Sequence, residues 1–301
     1  MSTAQESAKG FLANLKKTVK SESKGKDAIV LYGGPGMGKT SLAAQFKPLF
    51  VIDGSDNGYL DLVRNGQLPE GFDPVMADTW DKTRAVTKEL IEYAKNVPDD
   101  KKDFRAVCFE NLGGFATHLR EVVIAKYRKR PLKGDDESYD TALIRFNGFG
   151  GHTGAKDALP EWEAWLQDIV TLGHHGIRPL LLGHAANGKS DSADQSSAYA
   201  RVVLDIHAEL SKVVDRLMGN IGLITMKPVI LAAGGAGKKA RVDENAEARV
   251  LKMFSSPQFQ GKNRYGIGTE IDMGDSPQWA FHNLAKAMGY NVAAPKEKGD
   301  E

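Results

Sequence analysis

The stretch Tyr32–Ser41, YGGPGMGKTS, places four glycines and one proline directly before a Lys-Thr pair. Its spacing fits the phosphate-binding loop signature G-x-x-x-x-G-K-[ST]. An apolar, β-branched run precedes it at 28–32, and a run that favours helix follows it at 41–46. Because the signature requires a strand, a loop and a helix in this order, the stretch predicts a binding site for nucleotide phosphates.

Each residue type in this stretch has a physical reason. Glycines permit positive φ, so successive N–H groups can turn inward as an anion-binding nest, to which the helix N-terminus adds its dipole. We expect Lys39 to reach the β- and γ-phosphates and Thr40 to offer its hydroxyl to Mg²⁺. The predicted ligands are ATP and Mg²⁺. The predicted nucleotide-binding residues are Gly33, Gly34, Pro35, Gly36, Met37, Gly38, Lys39, Thr40 and Ser41.

The composition sets broad limits. A chain of 301 residues with 41% hydrophobic content can bury a sizeable core, which favours one large domain with appendages. The 40 basic and 39 acidic residues nearly cancel, so net charge neither supports nor excludes nucleic-acid binding. The single cysteine, Cys108, lies in an apolar run and is expected to be a buried small hydrophobe. No apolar run reaches about 18 residues, so we expect a cytoplasmic protein (in the host cytoplasm if phage-encoded) with no membrane contact.

Strand and helix patterns alternate along the chain, as in a parallel sheet with covering helices. Predicted strands are 28–32, 49–53, 105–109, 179–183, 220–226 and 248–254, and predicted helices are 39–46, 83–96 and 160–172. Two stretches with little periodicity, 128–159 and 185–200, are expected to be long loops. The predicted division is an amphipathic helix with a linker over 1–27, an ATPase core over 28–275, and a C-terminal helix with a mobile tail over 276–301. The N-terminal helix is expected to dock on the core or on a neighbouring subunit, or else to lie near nucleic acid.

Acidic residues follow two of the predicted strands, at the edge where open α/β sheets bind ligands. Glu110 ends the strand 105–109, and we expect it to hold Mg²⁺, directly or through water, or to polarise the attacking water. Asp53 and Asp56 follow the strand 49–53, and either is able to orient that water. The alternative is that they only shape an Asp-Gly turn.

Three further residues are placed to act on the γ-phosphate. His184 lies just past the strand 179–183, where a polar side chain can contact this phosphate and report its loss to the adjoining loop. The alternative is a histidine packed against the loop. Lys262 and Arg264 flank Asn263, and cations two apart on an extended segment point the same way. They are able to reach a phosphate bound by an adjacent subunit, or else they belong to a solvated basic turn.

Together these segments resemble a family. The set GGPGMGKTS, VIDGSDNG, AVCFEN, LLLGHA and KNRYG is similar to the RecA-like P-loop ATPase core over roughly residues 27–272. In particular it resembles the AAA-type ATP-binding phage proteins, which include single-strand annealing proteins and recombinases. The resemblance implies a RecA-like core, a mainly parallel twisted sheet with helices on both faces. It also implies a γ-phosphate sensor at His184 and trans-acting fingers at Lys262 and Arg264.

The chain departs from this family at two positions. The family commonly has Glu soon after the acid of its second strand, and here Asp56 is the nearest match, displaced by one residue. The second metal-site strand usually ends in Asp, and here it ends in Glu110-Asn111. Both departures point toward slow hydrolysis.

The leading interpretation is a DNA-dependent ATPase of phage-type recombination or annealing. It would assemble on single-stranded DNA as a homo-oligomer, a filament or a ring, with ATP between subunits. The expected DNA contacts are loop 185–200, with Lys189 and Arg201, and the stretch KYRKRPLK, with Lys126, Arg128, Lys129, Arg130 and Lys133, where the tyrosine is able to stack on bases. The alternatives are a ring-forming helicase-like motor or loader, and a nucleotide-gated DNA-binding module with little hydrolysis.

Overall fold

The computed structural model describes residues 26–54, 58–66, 74–129, 138–147, 153–190, 199–227, 230–231, 241–242 and 248–295. The strands are β1 (Ile29–Gly33), β2 (Leu49–Asp53), β3 (Val75–Met76), β4 (Ala106–Glu110), β5 (Arg178–Ser190), β6 (Tyr199–Leu204), β7 (Asn220–Met226), β8 (Ile230–Leu231), β9 (Arg241–Val242), β10 (Arg249–Lys252) and β11 (Ile271–Asp272). The helices are α1 (Lys39–Ala43), α2 (Gly58–Arg64), α3 (Trp80–Asn96), α4 (Leu112–Lys129), α5 (Tyr139–Asn147), α6 (Thr153–His174), α7 (Ala208–Leu217) and α8 (Pro277–Ala287), with a short 3₁₀ helix at Asp99–Lys101.

Nine of these strands form one twisted sheet in the order β11-β10-β7-β1-β5-β4-β2-β3, with β6 paired to β5. The neighbours from β7 to β3 are all parallel, and the edge additions β10, β11 and β6 are antiparallel. Strand β5 therefore lies between β1, which leads into the glycine-rich loop, and β4, which ends in Glu110.

Both faces of the sheet are covered, because side chains along each buried strand point alternately to the two sides. Val30 and Tyr32 of β1 belong to one core cluster, and Ile29 and Leu31 belong to the other. The first cluster holds side chains of α3, α4, α6 and α7, including Trp80, Phe115, Trp162, Trp165 and Val214. The second holds side chains of α1, α2 and α8, including Leu42, Tyr59 and Leu284. The predicted α/β class, a mainly parallel sheet with helices on both faces, is confirmed, and the arrangement is that of a P-loop NTPase core.

The strand predicted at 179–183 is longer than expected. Strand β5 continues to Ser190 and pairs with β6 as an antiparallel hairpin, in the register from Ala185–Leu204 to Ser190–Tyr199. The predicted loop 185–200 is therefore wrong for its two ends, and its centre, 191–198, lies outside the described residues. Residues 185–190 are small or polar, so their sequence has no strand pattern. They form a strand because they pair with the apolar β6, and not because of their own β-propensity.

The loop predicted over 128–159 is also wrong in large part. Helix α5 occupies Tyr139–Asn147, and α6 begins at Thr153, well before Pro160. A proline inside a helix costs about 3 kcal/mol, so Pro160 is expected to mark the first turn. Here the buried Trp162 and Trp165, with the earlier Ala155 and Ala158, pack the whole length of α6 into the core and outweigh that cost.

Some predictions fall outside the described part of the chain. They concern the amphipathic helix within 1–25, the residues 130–137 and the tail 296–301. Helix α8 lies within the predicted C-terminal segment 276–301. No helix among the described residues is long and apolar enough to cross a membrane.

Candidate functional site

The carboxyl ends of β1, β2, β4 and β5 bring Gly33, Asp53, Glu110 and His184 to one end of the sheet. In the strand register Gly33 lies beside His184, and Asp53 lies beside Glu110. Residues that are far apart in the sequence thus form one row next to the glycine-rich loop, as expected for ligand binding in open α/β sheets.

The loop itself has the geometry that its glycines predict. Gly36 and Gly38 have φ of 72° and 86°, in the region that favours glycine. A Cβ at Gly33 would lie 2.5 Å from the carbonyl oxygen of Ile224, so only glycine fits between β1 and β7. The side chain of Lys39 folds back over the loop, where its ammonium donates to the carbonyl oxygens of Gly33 at 3.1 Å and Gly34 at 2.9 Å. This cation is therefore held at the centre of the predicted phosphate cradle.

Thr40 and Glu110 meet directly. The Thr40 hydroxyl donates to Oε1 of Glu110 at 2.7 Å, although the two residues are distant in sequence. Glu110 is only 3% exposed, and a Cβ at Gly58 would lie 2.9 Å from the same oxygen, so α2 closes over this carboxylate. Hydroxyl and carboxylate oxygens are the hard ligands that Mg²⁺ prefers. The longer side chain of Glu, in place of the usual Asp, thus still reaches the hydroxyl of the loop.

The other predicted acids differ in position. Asp53 is fully buried beside Glu110, at the end of β2. Asp56 lies outside the described residues, so a water-orienting role for either one stays a prediction. Among the described residues, no three His, Cys, Asp or Glu side chains form a group that could hold a metal ion. Thr40 and Glu110 are nevertheless in direct contact at 2.7 Å.

Two neutral side chains pack against this pair of carboxylates. Burial raises the pKa of the Cys108 thiol well above its usual range, and the charge of Glu110 acts in the same direction. Burial likewise raises the pKa of Tyr59, and the neighbouring Cys108 and Glu110 act in the same direction. Neither group ionises near neutral pH, so they add no charge next to Glu110. The prediction that Cys108 is a buried small hydrophobe is confirmed.

His184 joins the phosphate-loop edge to the β5–β6 hairpin. Its side chain is half-buried, and its carbonyl oxygen accepts from the backbone N–H of Asp205 at 2.9 Å. A Cβ at Gly183 would lie 2.3 Å from Cδ1 of Leu204, so the two strands of the hairpin pack closely at this point. The hairpin therefore starts from His184, the residue that pairs with Gly33, and the end of its second strand is bonded back to His184 through Asp205.

Lys262 and Arg264 lie at the amino ends of the central strands, the opposite end of the sheet from the glycine-rich loop. Lys262 pairs with Ile221 near the start of β7 and donates to the carbonyl oxygen of Asp215 at 2.7 Å. Arg264 lies 3.5 Å from Asp27, just before β1, and its side chain is 60% exposed. The length of β1, roughly 15 Å, separates this position from the loop of the same subunit. The two cations do not complete their own phosphate site, and their trans-acting role stays a prediction.

The turn that carries these cations is held by Asn263. Its side-chain oxygen accepts from the N–H groups of Tyr265 and Ile267, and its amide nitrogen donates to the carbonyls of Met253 and Ile267. Sequence reasoning treated Asn263 only as the residue between two cations. The four hydrogen bonds make it the residue that fixes the backbone on which Arg264 stands.

The predicted DNA-binding residues are divided by the structure. Lys126, Arg128 and Lys129 are exposed at the end of α4, as a basic cluster should be. Tyr127 is buried, its hydroxyl donates to Asp157, and Arg145 stacks on its ring at 4.0 Å. The expectation that this tyrosine stacks on bases is therefore wrong, because its position on α4 faces the core.

Of the hairpin residues predicted to contact DNA, Arg201 is already engaged within the protein. The guanidinium of Arg201 donates to the carbonyl oxygen of Phe259 at 3.0 Å and is half-buried. Lys189 pairs through its backbone with Ala200 in the hairpin. Arg130 and Lys133 lie outside the described residues. Among the predicted DNA contacts whose side chains the structure describes, Lys126, Arg128 and Lys129 are exposed.

Sequence reasoning missed one cation at the site. Arg249 begins β10, and a Cβ at Gly38 would lie 3.0 Å from its Nη1. The pairing of β10 with β7 brings this residue beside the glycine-rich loop. No local motif marks it, and the only signal in the sequence is a cation at the start of an apolar run.

Comparison with known protein families agrees with this geometry. A family model described as an AAA domain matches residues 26–265. The match runs from the start of β1 through the Thr40–Glu110 pair to the turn that carries Arg264, and it ends before α8. No curated protein matches the chain. The matched span, the strand–loop–helix geometry and the contact between Thr40 and Glu110 together show that the chain belongs to the AAA domain family of P-loop, nucleotide-binding ATPases.

Proposed function

We propose that this protein hydrolyses ATP with Glu110 as the water-activating carboxylate and acts on single-stranded DNA as a homo-oligomer. The observation that carries the hydrolytic part is the 2.7 Å hydrogen bond between Thr40 and Glu110. This contact supports the proposal because one cation could be held by the hydroxyl and the carboxylate together, next to a lysine whose ammonium lies over the loop.

Each residue of the site has a proposed role that follows from the chemistry of its side chain. The loop N–H groups and Lys39 receive the phosphates, and Thr40 is the side chain that would hold Mg²⁺ directly, with Glu110 reaching the ion through water. When bound, Mg²⁺ neutralises phosphate charge and orients the phosphate oxygens. Glu110 accepts a proton from the attacking water, a role that suits a carboxylate 3% exposed at the end of β4. Its neighbours Tyr59 and Cys108 remain protonated and do not compete for that proton.

The DNA-binding part rests on exposed charge and on the family resemblance. Lys126, Arg128 and Lys129 stand together at the end of α4. This helix of 18 residues starts just after Glu110 and is about 27 Å long. A DNA strand on its far end therefore lies away from the phosphates of the same subunit, so the coupling has to pass through the protein or through a neighbouring subunit.

The position of Arg264 supports an oligomer. This arginine is exposed on a turn that Asn263 fixes, at the amino ends of the strands. It is therefore remote from the glycine-rich loop of the same subunit. A second copy that places its loop against this edge would receive a cation at its γ-phosphate, the role of an arginine finger. ATP would then lie between subunits, in a filament or in a ring.

The test measures phosphate release by the full chain with and without single-stranded DNA, with Lys39→Ala as the inactive control. The proposal requires turnover that the wild type shows, that the control lacks and that DNA stimulates. ATP turnover that DNA leaves unchanged would overturn the DNA-dependent part, and absence of turnover with tight nucleotide binding would leave only a nucleotide-gated module. Strand displacement in the same reactions would instead indicate a helicase-like motor. Electron microscopy with ATP and DNA distinguishes a filament or ring from a monomer, and a monomer would overturn the oligomeric part.

A further inference from the structure

A cavity of about 330 Å³ lies at the amino ends of the central strands, away from the glycine-rich loop. Such a volume falls in the range of about 300–1,000 Å³ that is usual for small-molecule sites. Ala106 begins β4 and Arg178 begins β5, the two residues pair in the sheet, and both line the cavity. An occupant would therefore be separated from the phosphate site by the length of the strands.

One side of the cavity is apolar. Phe46, just beyond α1, packs edge-on against Phe281 of α8, with ring centroids 5.0 Å apart. Leu284 and Met288 follow Phe281 at spacings of three and four residues, so they continue one face at the end of α8. This face lies beyond residue 265, where the match to the AAA domain ends. It offers a surface for the hydrocarbon part of a ligand.

The remaining lining is cationic. Four of the residues that line the cavity are basic and none is acidic, and the four are Lys26, Lys47, Arg105 and Arg178. Among the described residues, none of these side chains forms a salt bridge, because the neighbouring acids Asp27 and Asp99 pair with Arg264 and Lys102 instead. Burial and the charges of Arg178 and Arg105 lower the pKa of Lys26. The cations are thus close enough to repel one another.

Two of these cations are arginines without a counter-charge. Arg178 is 7% exposed, and its guanidinium donates to the carbonyl oxygen of Asp27 at 3.2 Å and to the hydroxyls of Tyr265 at 3.3 Å and Tyr290 at 2.7 Å. All three acceptors are uncharged. Arg105 is half-buried, and its guanidinium has no hydrogen bond or ion pair with any residue that the structure describes. Buried charge is costly without an opposite charge, and an anion in the cavity would supply one.

We propose that this cavity binds a small organic anion, whose charged group lies against Arg105 and Arg178 and whose apolar part lies against Phe46 and the end of α8. A carboxylate or a phosphate suits two guanidinium groups, which bind such planar or multiply oxygenated anions through paired hydrogen bonds. Arg178 also donates to Tyr265, the residue that follows Arg264. A bound anion would therefore share a partner with the turn that carries Arg264.

The test uses two fluorescent probes of nearly the same shape. Anilinonaphthalene sulfonate (ANS) has one anionic group on an aromatic body, and phenylnaphthylamine is its counterpart without the sulfonate. The full chain is titrated with each probe, with and without Mg²⁺-ADP. We expect one saturable site that binds ANS about tenfold more tightly than the neutral probe, since one charge-assisted hydrogen bond corresponds to about that factor. Mg²⁺-ADP should leave the ANS affinity unchanged, because the nucleotide site is at the other end of the sheet.

Two variants separate the charge from the cavity. Arg105→Gln should weaken ANS about tenfold and leave the neutral probe unchanged. Its matched control is Lys101→Gln, an exposed cation nearby that does not line the cavity. Ala285→Leu places a larger side chain in the cavity and should weaken both probes, whereas Ala287→Leu, on the same helix but outside the lining, should weaken neither. Val292→Trp, at a partly exposed position of the lining, replaces Ala285→Leu if that variant does not fold.

Phenylbutyrate and phenyl phosphate are then tested as competitors of ANS. Displacement by one of them identifies the anion as a carboxylate or a phosphate, and no displacement by either would count against the proposed ligand class. Equal affinities for the two probes, loss of ANS binding on addition of Mg²⁺-ADP, or wild-type ANS affinity in folded Arg105→Gln would overturn the inference. None of these results depends on whether the protein hydrolyses ATP, so the proposed function is tested separately.

Discussion

Replacement of Glu110 by Gln should separate nucleotide binding from hydrolysis. The amide keeps an oxygen that can accept from the Thr40 hydroxyl, which now donates at 2.7 Å, but it removes the negative charge. A hydrogen bond to a charged group contributes about 1.5–3 kcal/mol and a neutral one about 0.5–1.5, so the loss is about 1 kcal/mol. The loss falls on the free protein, and the loop N–H groups and Lys39 are unchanged, so nucleotide should still bind. Loss of the general base should lower turnover by about 10²–10⁴-fold.

The assay pairs steady-state phosphate release with ADP titration in Mg²⁺. A thermal melt serves as the control for folding. The expected loss of about 1 kcal/mol should lower the melting temperature by no more than about 4 °C, so a much larger fall would indicate misfolding. Unchanged turnover in this variant would refute the assignment of Glu110 and would move the catalytic role to Asp53 or Asp56.

Three further results are expected. Lys39→Ala should abolish tight ATP binding and turnover, because the cation held over Gly33 has no substitute in the loop; ATP affinity equal to the wild type would contradict this. Joint replacement of Arg128, Lys129 and Arg130 by Ala should reduce the slope of single-stranded DNA affinity against salt on a log-log plot, since fewer counterions are released; an unchanged slope would place the DNA path elsewhere. Arg264→Ala should leave ATP binding to the isolated subunit nearly intact and lower turnover by roughly 10³-fold or more. Mixing it with Lys39→Ala should restore part of the activity, and co-assembly without any recovery would refute the trans-acting role.

Much of the nucleotide site could be predicted from local sequence because its parts are short and contiguous. The glycines and Lys39 follow one another, and Glu110 ends a strand that is apolar throughout, so a motif and a strand pattern suffice to find them. The same strand patterns were enough for the fold class, since alternating buried strands and helices allow few arrangements.

The parts that could not be predicted depend on contacts between distant segments. Arg249 acquires its place only when β10 pairs with β7 and approaches Gly38. Tyr127 is surrounded by cations in the sequence, yet its spacing from Val123 and Ile124 puts it on the buried face of α4. The basic residues around Tyr127 make this helical spacing hard to recognise in the sequence. The buried face of a helix therefore has to be identified before roles are assigned to the residues of a charged stretch.

The strand that carries His184 is continuous from the central sheet into the hairpin, and this has a mechanical consequence. The described outer part of β5, residues 185–190, is about 20 Å long at roughly 3.3 Å per residue. Its base is fixed on one side by the pairing of His184 with Gly33 and on the other by the N–H of Asp205. Partway along, β6 is also bonded to a distant segment, because the N–H of Val202 donates to the carbonyl oxygen of Gln258 at 2.8 Å and its own carbonyl accepts from the N–H of Gln260 at 3.0 Å. A shift at His184 would therefore be passed through β6 to residues 258–260, which directly precede the turn that carries Lys262 and Arg264.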